Sequence, residues 1–233
     1  PVGAGTPGPV YSKVYAAFKA TQDKAREQVV SNAFSAMLEE HGVQNFNAQT
    51  SSDWTRYFYS LPSNRLELWS VLEGSRMAYP VFREFYKERD VVYEERRMRT
   101  ESTPIGRMVE QYVQTAYVAH PYGYGVIGFP SDLSSFTRSQ GEAFYKSHYV
   151  AKNMGVAVVG DVAKADLQAQ ATKYWSDISS APAPPALDVV EPEQKAERRV
   201  VLEDPAQPYV VIGYHCPAAT DPRYPAYDAL ADV

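Results

Sequence analysis

Residues 43–61 read Val43-Gln-Asn-Phe-Asn-Ala-Gln-Thr-Ser-Ser-Asp-Trp-Thr-Arg-Tyr-Phe-Tyr-Ser-Leu61, and their pattern sets the fold class. The stretch is rich in aromatic residues, Thr and Asn, and its apolar and polar positions partly alternate. The polar cluster Ser51-Ser52-Asp53 interrupts it. Alternation broken by a short polar cluster is typical of two strands joined by a turn. We therefore predict a β-hairpin, whose strands need an antiparallel ladder.

Helical patterns flank this hairpin on both sides. Residues 11–41 contain no Pro or Gly, which predicts one long helix or two abutting helices that end at Gly42. Further helices are predicted at 63–79, 80–101, 104–118, 137–149 and 163–178. Short apolar runs predict strands at 155–160, 198–202 and 209–215. Together these elements predict an α+β fold, an antiparallel-rich sheet with helices packed on one face.

A proline-rich segment at residues 181–196 predicts a connector between two domains. On this interpretation residues 1–180 form most of a first domain, and residues 197–233 form the truncated beginning of a second, similar one. The chain begins at Pro1 and stops within an apparently helical run. We expect it to be an internal piece of a longer polypeptide.

Composition excludes several classes of protein. Lys and Arg number 23 against 28 Asp and Glu, a net charge of −5, and no basic cluster is present, so a nucleic-acid partner is not expected. The longest apolar runs, such as 156–159 and 210–212, fall far short of the roughly 20 residues that span a bilayer. No membrane span is therefore predicted.

The strongly charged helix predicted at 80–101 contains two acidic residues of special interest. Glu88 and Glu95 are seven positions apart, which places them within about 20° of each other on a helix. Apolar residues flank this face, namely Val81, Phe85, Val91, Val92 and Met98. One explanation is a solvated, ion-paired helix, because 12 of the 19 residues 83–101 are charged. The other is a functional site, because carboxylates seldom interrupt an apolar stripe unless they are paired or bind metal.

Several motifs resemble the insulinase and pitrilysin zinc peptidases, which include the mitochondrial processing peptidase. Asn47-Ala-Gln-Thr-Ser-Ser-Asp-Trp-Thr-Arg-Tyr57 resembles their N-A-x-T-x-x-D-x-T-x-Y block, and Glu88-Arg-Asp-Val-Val-Tyr-Glu95 is similar to their third-ligand helix. Three further blocks occur in the family's order, namely His120-Pro-Tyr-Gly, Ile127-Gly and Asn153-Met-Gly-Val-Ala-Val-Val-Gly-Asp161-Val. The resemblance covers residues 27–233.

The resemblance implies a zinc cofactor held by two His of an H-x-x-E-H motif and by a downstream Glu. Matched position by position, Glu95 corresponds to the downstream zinc ligand. Glu88 corresponds to a supporting catalytic carboxylate near the water that attacks the peptide bond. This chain contains no H-x-x-E-H, and its nearest look-alike, Met37-Leu-Glu-Glu-His41, has Met in place of the first His. The remaining zinc ligands are therefore expected outside this chain.

The resemblance also implies where a substrate binds. In such peptidases the N-A-x-T strand is a sheet edge near zinc, to which the substrate adds as an extra strand, so Asn47 and Ala48 are expected to contact the substrate backbone. The residues alone leave an alternative open, in which Asn47 merely satisfies a bulge or turn.

The family resemblance implies a metalloendopeptidase that hydrolyses peptides or unfolded protein segments in a chamber closed by a homologous second half or subunit. This piece alone is expected to be inactive. The alternative is a non-catalytic homologue that serves as a partner or scaffold subunit. Location in the periplasm, or export from a bacterial cell, is expected by resemblance only.

Overall fold

The computed structural model describes residues 9–231, apart from the side chains at 22, 25 and 26. Within this range an antiparallel hairpin is combined with many helices, which confirms the predicted α+β class. The helices and strands are α1 (Pro9–Arg26), α2 (Ala33–Glu40), β1 (Gln44–Thr50), β2 (Thr55–Ser60), α3 (Leu66–Ala78), α4 (Phe85–Arg96), α5 (Pro104–Ala116), α6 (Pro130–Ser135), α7 (Arg138–His148), α8 (Lys164–Tyr174) and α9 (Tyr224–Ala231).

The chain divides into two compact units, each assembled from two separate segments. The first unit comprises the residues up to Glu95 together with Val126–Leu187, and it contains the hairpin. The second comprises Arg96–Gly125 together with the residues from Asp188 onward. The change of unit after Leu187 lies within the proline-rich connector, whereas the change after Glu95 has no counterpart in the sequence pattern. The domain boundaries at residues 180 and 197 stay a prediction.

The hairpin forms where the sequence predicts it. Strands β1 and β2 pair antiparallel, with Ala48 opposite Tyr57, and the Ser51 N–H donates to the Trp54 carbonyl at 2.8 Å to close the turn. A register shift between Gln44 and Asn47 marks a β-bulge at the start of β1. Positive φ at residue 45, which is 55°, accompanies this bulge.

Helix α3 packs closely against α8 in the first unit. The Trp175 indole N–H donates to the Ser70 carbonyl at 2.9 Å, and the Trp69 and Trp175 rings meet edge to face at 5.2 Å. Gly74 lies buried at the contact, and a Cβ there would stand 2.7 Å from Trp175 Cδ1. The two backbones can therefore approach only because residue 74 has no side chain. The fully buried side chains of this unit include Leu38, Ser70 and Val150.

Three predicted strands are wrong for the described chain. Residues 155–160, 198–202 and 209–215 belong to no strand, and Val159 and Tyr214 are 97% and 90% exposed. Their apolar patterns suit strands, but a strand is stabilised by ladder bonds to a neighbour. The β1–β2 hairpin is the one sheet within residues 9–231, so these segments have no neighbouring strand there.

Two helices, α3 and α4, begin later in the chain than the sequence predicts. The helix predicted from Pro80 begins only at Phe85 as α4, and residues Arg97–Glu101 continue it as a π-helical turn. A 3₁₀ turn at Ser63–Arg65 likewise precedes α3. The predicted cap of α7 is confirmed, since the Gln140 N–H donates to Thr137 Oγ1 and the Thr137 N–H donates to Gln140 Oε1.

Within the described part of the chain, the helices are too short or too polar to cross a membrane.

Candidate functional site

Helix α4 carries both carboxylates singled out by the sequence. It runs without a break from Phe85 to Arg96, so Glu88 and Glu95 lie on the same face, two turns apart. Glu88 is exposed, and Glu95 is partly buried. Val91, which flanks this face, is 54% exposed. The face is therefore accessible in the described chain.

Several other charges on or next to α4 are paired. Lys87 Nζ lies 2.9 Å from Glu84, and Arg89 lies 3.1 Å from Asp90. Arg89 Nη1 also donates to the carbonyls of Ser134 and Phe136, each at 3.3 Å. These contacts fit the ion-paired explanation of the helix. Within residues 9–231, by contrast, the Glu88 side chain makes no hydrogen bond or ion pair. Its carboxylate is therefore available to an external group.

The described residues do not complete a metal site. Within residues 9–231, no three His, Cys, Asp or Glu side chains lie together in a way that could hold a metal ion. A zinc site needs three or four ligands, of which α4 could offer the carboxylate of Glu95. These residues alone do not fit zinc, and no catalytic step can be assigned to a metal that they hold.

The outer edge of β1 presents the backbone at Asn47 and Ala48. Hydrogen-bonded and non-hydrogen-bonded pairs alternate along an antiparallel ladder. Because Ser51 and Trp54 form a hydrogen-bonded pair, counting back along the ladder makes Ala48 and Tyr57 a non-hydrogen-bonded pair. The Ala48 N–H therefore points away from β2, and it donates to Asn47 Oδ1 at 2.8 Å.

This geometry keeps both predicted roles of Asn47 open. The neighbouring bulge and the Asn47–Ala48 hydrogen bond suit a side chain whose role is to accept a hydrogen bond from the adjacent backbone. The outward donor at Ala48 suits an edge to which another strand can add. Glu88 and Asn47 lie on separate elements of the first unit, and no hydrogen bond connects them.

A groove of about 960 Å³ lies beside the hairpin, between β1–β2, α3, α7 and residues 153–159. A polar network lines it. Arg76 stacks on the Tyr57 ring at 4.2 Å from its centroid and pairs with Glu73. Glu73 accepts a hydrogen bond from the Tyr59 hydroxyl at 2.9 Å, and the hydroxyls of Tyr57 and Tyr149 lie 2.7 Å apart. This network could not be predicted from the sequence, because 18 tyrosines spread along the chain have no positional pattern.

Burial raises the pKa of two phenols near this groove above the ordinary value of 10. It raises the pKa of Tyr145 to about 12, and it also raises the pKa of Tyr149, to which the Tyr57 hydroxyl contributes. The Tyr145 hydroxyl donates to the carbonyls of Arg76 and Met77 at 3.2 and 3.0 Å. Tyr145 and Tyr149 are thus neutral hydrogen-bonding groups beside the charged Arg76–Glu73 pair of the groove.

Comparison with known proteins relates this chain to the M16 peptidases. Residues 135–233 match the family model described as the Peptidase M16 inactive domain. The zinc protease PqqE of Helicobacter pylori is 32% identical over 214 residues, which cover 89% of this chain and 48% of that protein.

Solved structures of proteases also match this chain. A protease from Helicobacter pylori matches with a TM-score of 0.68 and 33% identity, over 73% of this chain and 42% of its own. The first half of the periplasmic protease PqqL from Escherichia coli matches with a TM-score of 0.57 over 68% of this chain and 35% of its own, and its 21% identity shows a shared fold.

The chain spans about half the length of the curated relative that it matches. The family match starts at residue 135, upstream of the predicted connector, and continues through it. Together these findings confirm the resemblance that the motifs indicate. The chain is thus homologous to M16 peptidases, and its residues 135–233 match the model described as the inactive domain of that family.

Proposed function

We propose that this chain is one part of a zinc-dependent metalloendopeptidase that hydrolyses peptides or unfolded protein segments. One observation carries the proposal: α4 presents Glu88 and Glu95 on one accessible face, in a chain that is 32% identical to a zinc protease. The exposed, unpaired state of Glu88 supports a chemical role, because the ion-paired explanation accounts for its neighbours but not for Glu88 itself.

In this proposal the two carboxylates have different roles. Glu95, which is partly buried and therefore better fixed in position, supplies one carboxylate ligand to the zinc ion. The other ligands come from sequence outside this chain. When bound, zinc supplies a Lewis acid for the scissile carbonyl. Glu88, two turns earlier on the same face, supports the general-base group through its charge and hydrogen-bonding capacity.

The edge of β1 is the proposed substrate site. A peptide strand that adds there would accept a hydrogen bond from the outward Ala48 N–H, which Asn47 Oδ1 covers in this structure. Asn47 would have to turn away from Ala48, and its amide would then be free to bind the peptide backbone. Backbone pairing tolerates many sequences, which suits a peptidase acting on unfolded segments.

A homologous second half or subunit is proposed to close the chamber around the substrate. Two findings support this proposal. The chain spans about half of its curated relative, and one structural match is itself described as a first half. Location in the periplasm is proposed because that same match is described as a periplasmic protease.

The test is hydrolysis of an internally quenched, extended peptide by the intact protein that contains this chain. We expect cleavage that a chelator abolishes and added zinc restores, and that Glu88→Gln reduces by roughly 100-fold or more, the scale of a lost acid–base group. Asp90→Asn, an exposed change on the same helix, is the matched control. Cleavage that survives chelation would contradict the proposal.

A second candidate is a non-catalytic subunit that acts as a partner or scaffold. The description of residues 135–233 as an inactive domain favours it. A subunit of this kind would neither cleave the peptide nor bind zinc, yet it would still bind a catalytic homologue. Zinc bound to the intact protein through Glu95 would exclude this candidate.

A further inference from the structure

A single carboxylate in the proline-rich connector binds three successive backbone groups. Glu191 Oε1 accepts the Val118 N–H at 2.9 Å, and Oε2 accepts the N–H groups of Ala119 and His120 at 2.9 and 2.8 Å. These residues form the turn that follows α5, within the second unit. The Glu191 side chain is only 15% exposed. Most surface carboxylates in linkers contact water instead, so this contact requires an explanation.

A second residue, two positions after the connector, binds the same end of α5. Arg198 Nη1 donates to the carbonyls of Thr115 and Ala116 at 3.2 and 2.9 Å and lies 3.7 Å from Glu191 Oε1. The last carbonyls of a helix have no partner inside the helix, and they give that end a partial negative charge. Arg198 satisfies these carbonyls, and it also offsets the repulsion that they would exert on Glu191.

We propose that Glu191 and Arg198 form a latch that fixes the connector to the C-terminal end of α5, with the turn at residues 118–120 acting as a carboxylate-binding site that the chain fills itself. The latch joins the two separate segments that make up the second unit, Arg96–Gly125 and the residues from Asp188 onward. On this account residues 191–196 of the connector are held in a fixed position and do not act as a flexible linker. The inference is independent of zinc and of peptidase activity.

The electrostatic surroundings support a permanently charged ligand. The hydrogen bond from Val118, with those from His120 and Ala119 and the charge of Arg198, lowers the pKa of Glu191 to about 2. The other titratable groups that face this turn include His120, Tyr122 and His215, whose Nε2 lies 3.0 Å from the Ala116 carbonyl oxygen. They also include Tyr117, whose pKa is raised by burial and by Cys216, Tyr112 and Glu191. The His120 ring is occupied by the turn, because its Nδ1 accepts the Tyr122 N–H at 3.2 Å.

The test is hydrogen–deuterium exchange with mass spectrometric detection on the intact protein, read at the peptide that contains residues 118–120. Glu191→Ala should speed exchange of these amides by roughly tenfold or more, because their acceptor is lost. Glu193→Ala, two residues away and exposed, is the matched control and should leave exchange unchanged. Added acetate should restore protection in Glu191→Ala, whereas chloride at equal ionic strength should not.

Glu191→Gln keeps the shape of the side chain and one accepting oxygen, and it serves as the second variant. It should give intermediate exchange that acetate does not improve. Unchanged exchange in both Glu191 variants, or equal acceleration in Glu193→Ala, would overturn the latch. Accelerated exchange that acetate fails to slow in Glu191→Ala would overturn the carboxylate-binding site.

Discussion

The Ala48 N–H is the backbone donor on which the proposed substrate site depends. It points away from β2, and the Asn47 side chain holds it in this structure. A strand arriving at this edge must replace one hydrogen bond with another, which costs little net free energy. The Ala48 N–H therefore has a hydrogen-bond acceptor when no substrate is bound, and it can exchange this acceptor for a substrate carbonyl. The same internal hydrogen bond disfavours pairing of this edge with an unintended strand.

We predict that Ala48→Pro weakens substrate binding without unfolding the hairpin. Proline removes the outward N–H but no ladder bond, because the Ala48 N–H does not pair with β2. The kcat/KM for an extended peptide should fall roughly tenfold or more in the intact enzyme, from one lost hydrogen bond and the bulk of the ring. Ala48→Gly keeps the donor and should retain most of the activity. An unchanged kcat/KM in Ala48→Pro would rule out strand addition at this position.

Glu191 should make the stability of the protein depend on acid pH. Its pKa is about 2 in the folded protein against an ordinary 4.5, so the unfolded chain binds the proton more readily. The stabilisation is therefore complete above about pH 4.5 and disappears as the pH falls toward 2. The difference in unfolding free energy between wild type and Glu191→Gln, measured by urea titration, should shrink over this range. A difference that is equal at pH 7 and pH 2.5 would contradict the assignment.

Among elements, those governed by local chemistry could be predicted from the sequence. The hairpin, the Thr137 capping box and the start of α5 at Pro104 all depend on residues close in the chain. The strands predicted at 155–160, 198–202 and 209–215 could not be judged this way, because a strand also needs a distant partner. The apolar pattern shows that these segments could form strands. Residues 9–231 contain no partner strand for them.

The α3–α8 contact gives a prediction at the element scale. Gly74→Ala should destabilise the protein by about 1–3 kcal/mol, because the new Cβ would meet the Tyr174 carbonyl and the Trp175 ring. The gain in helix propensity, about 1 kcal/mol, does not compensate, since a backbone atom must move. Ser75→Ala, exposed on the same helix, should be neutral or slightly stabilising in the same urea titration. Equal stability of the two variants would show that α3 and α8 are not closely packed at Gly74.

For the molecule as a whole, the fold class could be predicted from the pattern of helices and strands, and the relation to M16 peptidases from short motifs. These motifs occur in the same order along the chain as in the family that they resemble. The Glu191 latch could not be predicted, because a lone Glu in a proline-rich segment has no recognisable partner until the chain folds. The groove network of Arg76, Glu73 and three tyrosines is hidden for the same reason. The roles of Glu88, Glu95, Asn47 and Ala48 stay predictions.

Zinc content tests the central claim most directly. The intact protein that contains this chain should bind about one zinc ion per chain, measured by plasma mass spectrometry after dialysis. Glu95→Gln should lose most of the metal, whereas Glu88→Gln and the control Asp90→Asn should keep it, because only Glu95 is proposed to bind zinc. Equal zinc loss in Glu88→Gln and Glu95→Gln, or full retention of zinc in both, would contradict the account.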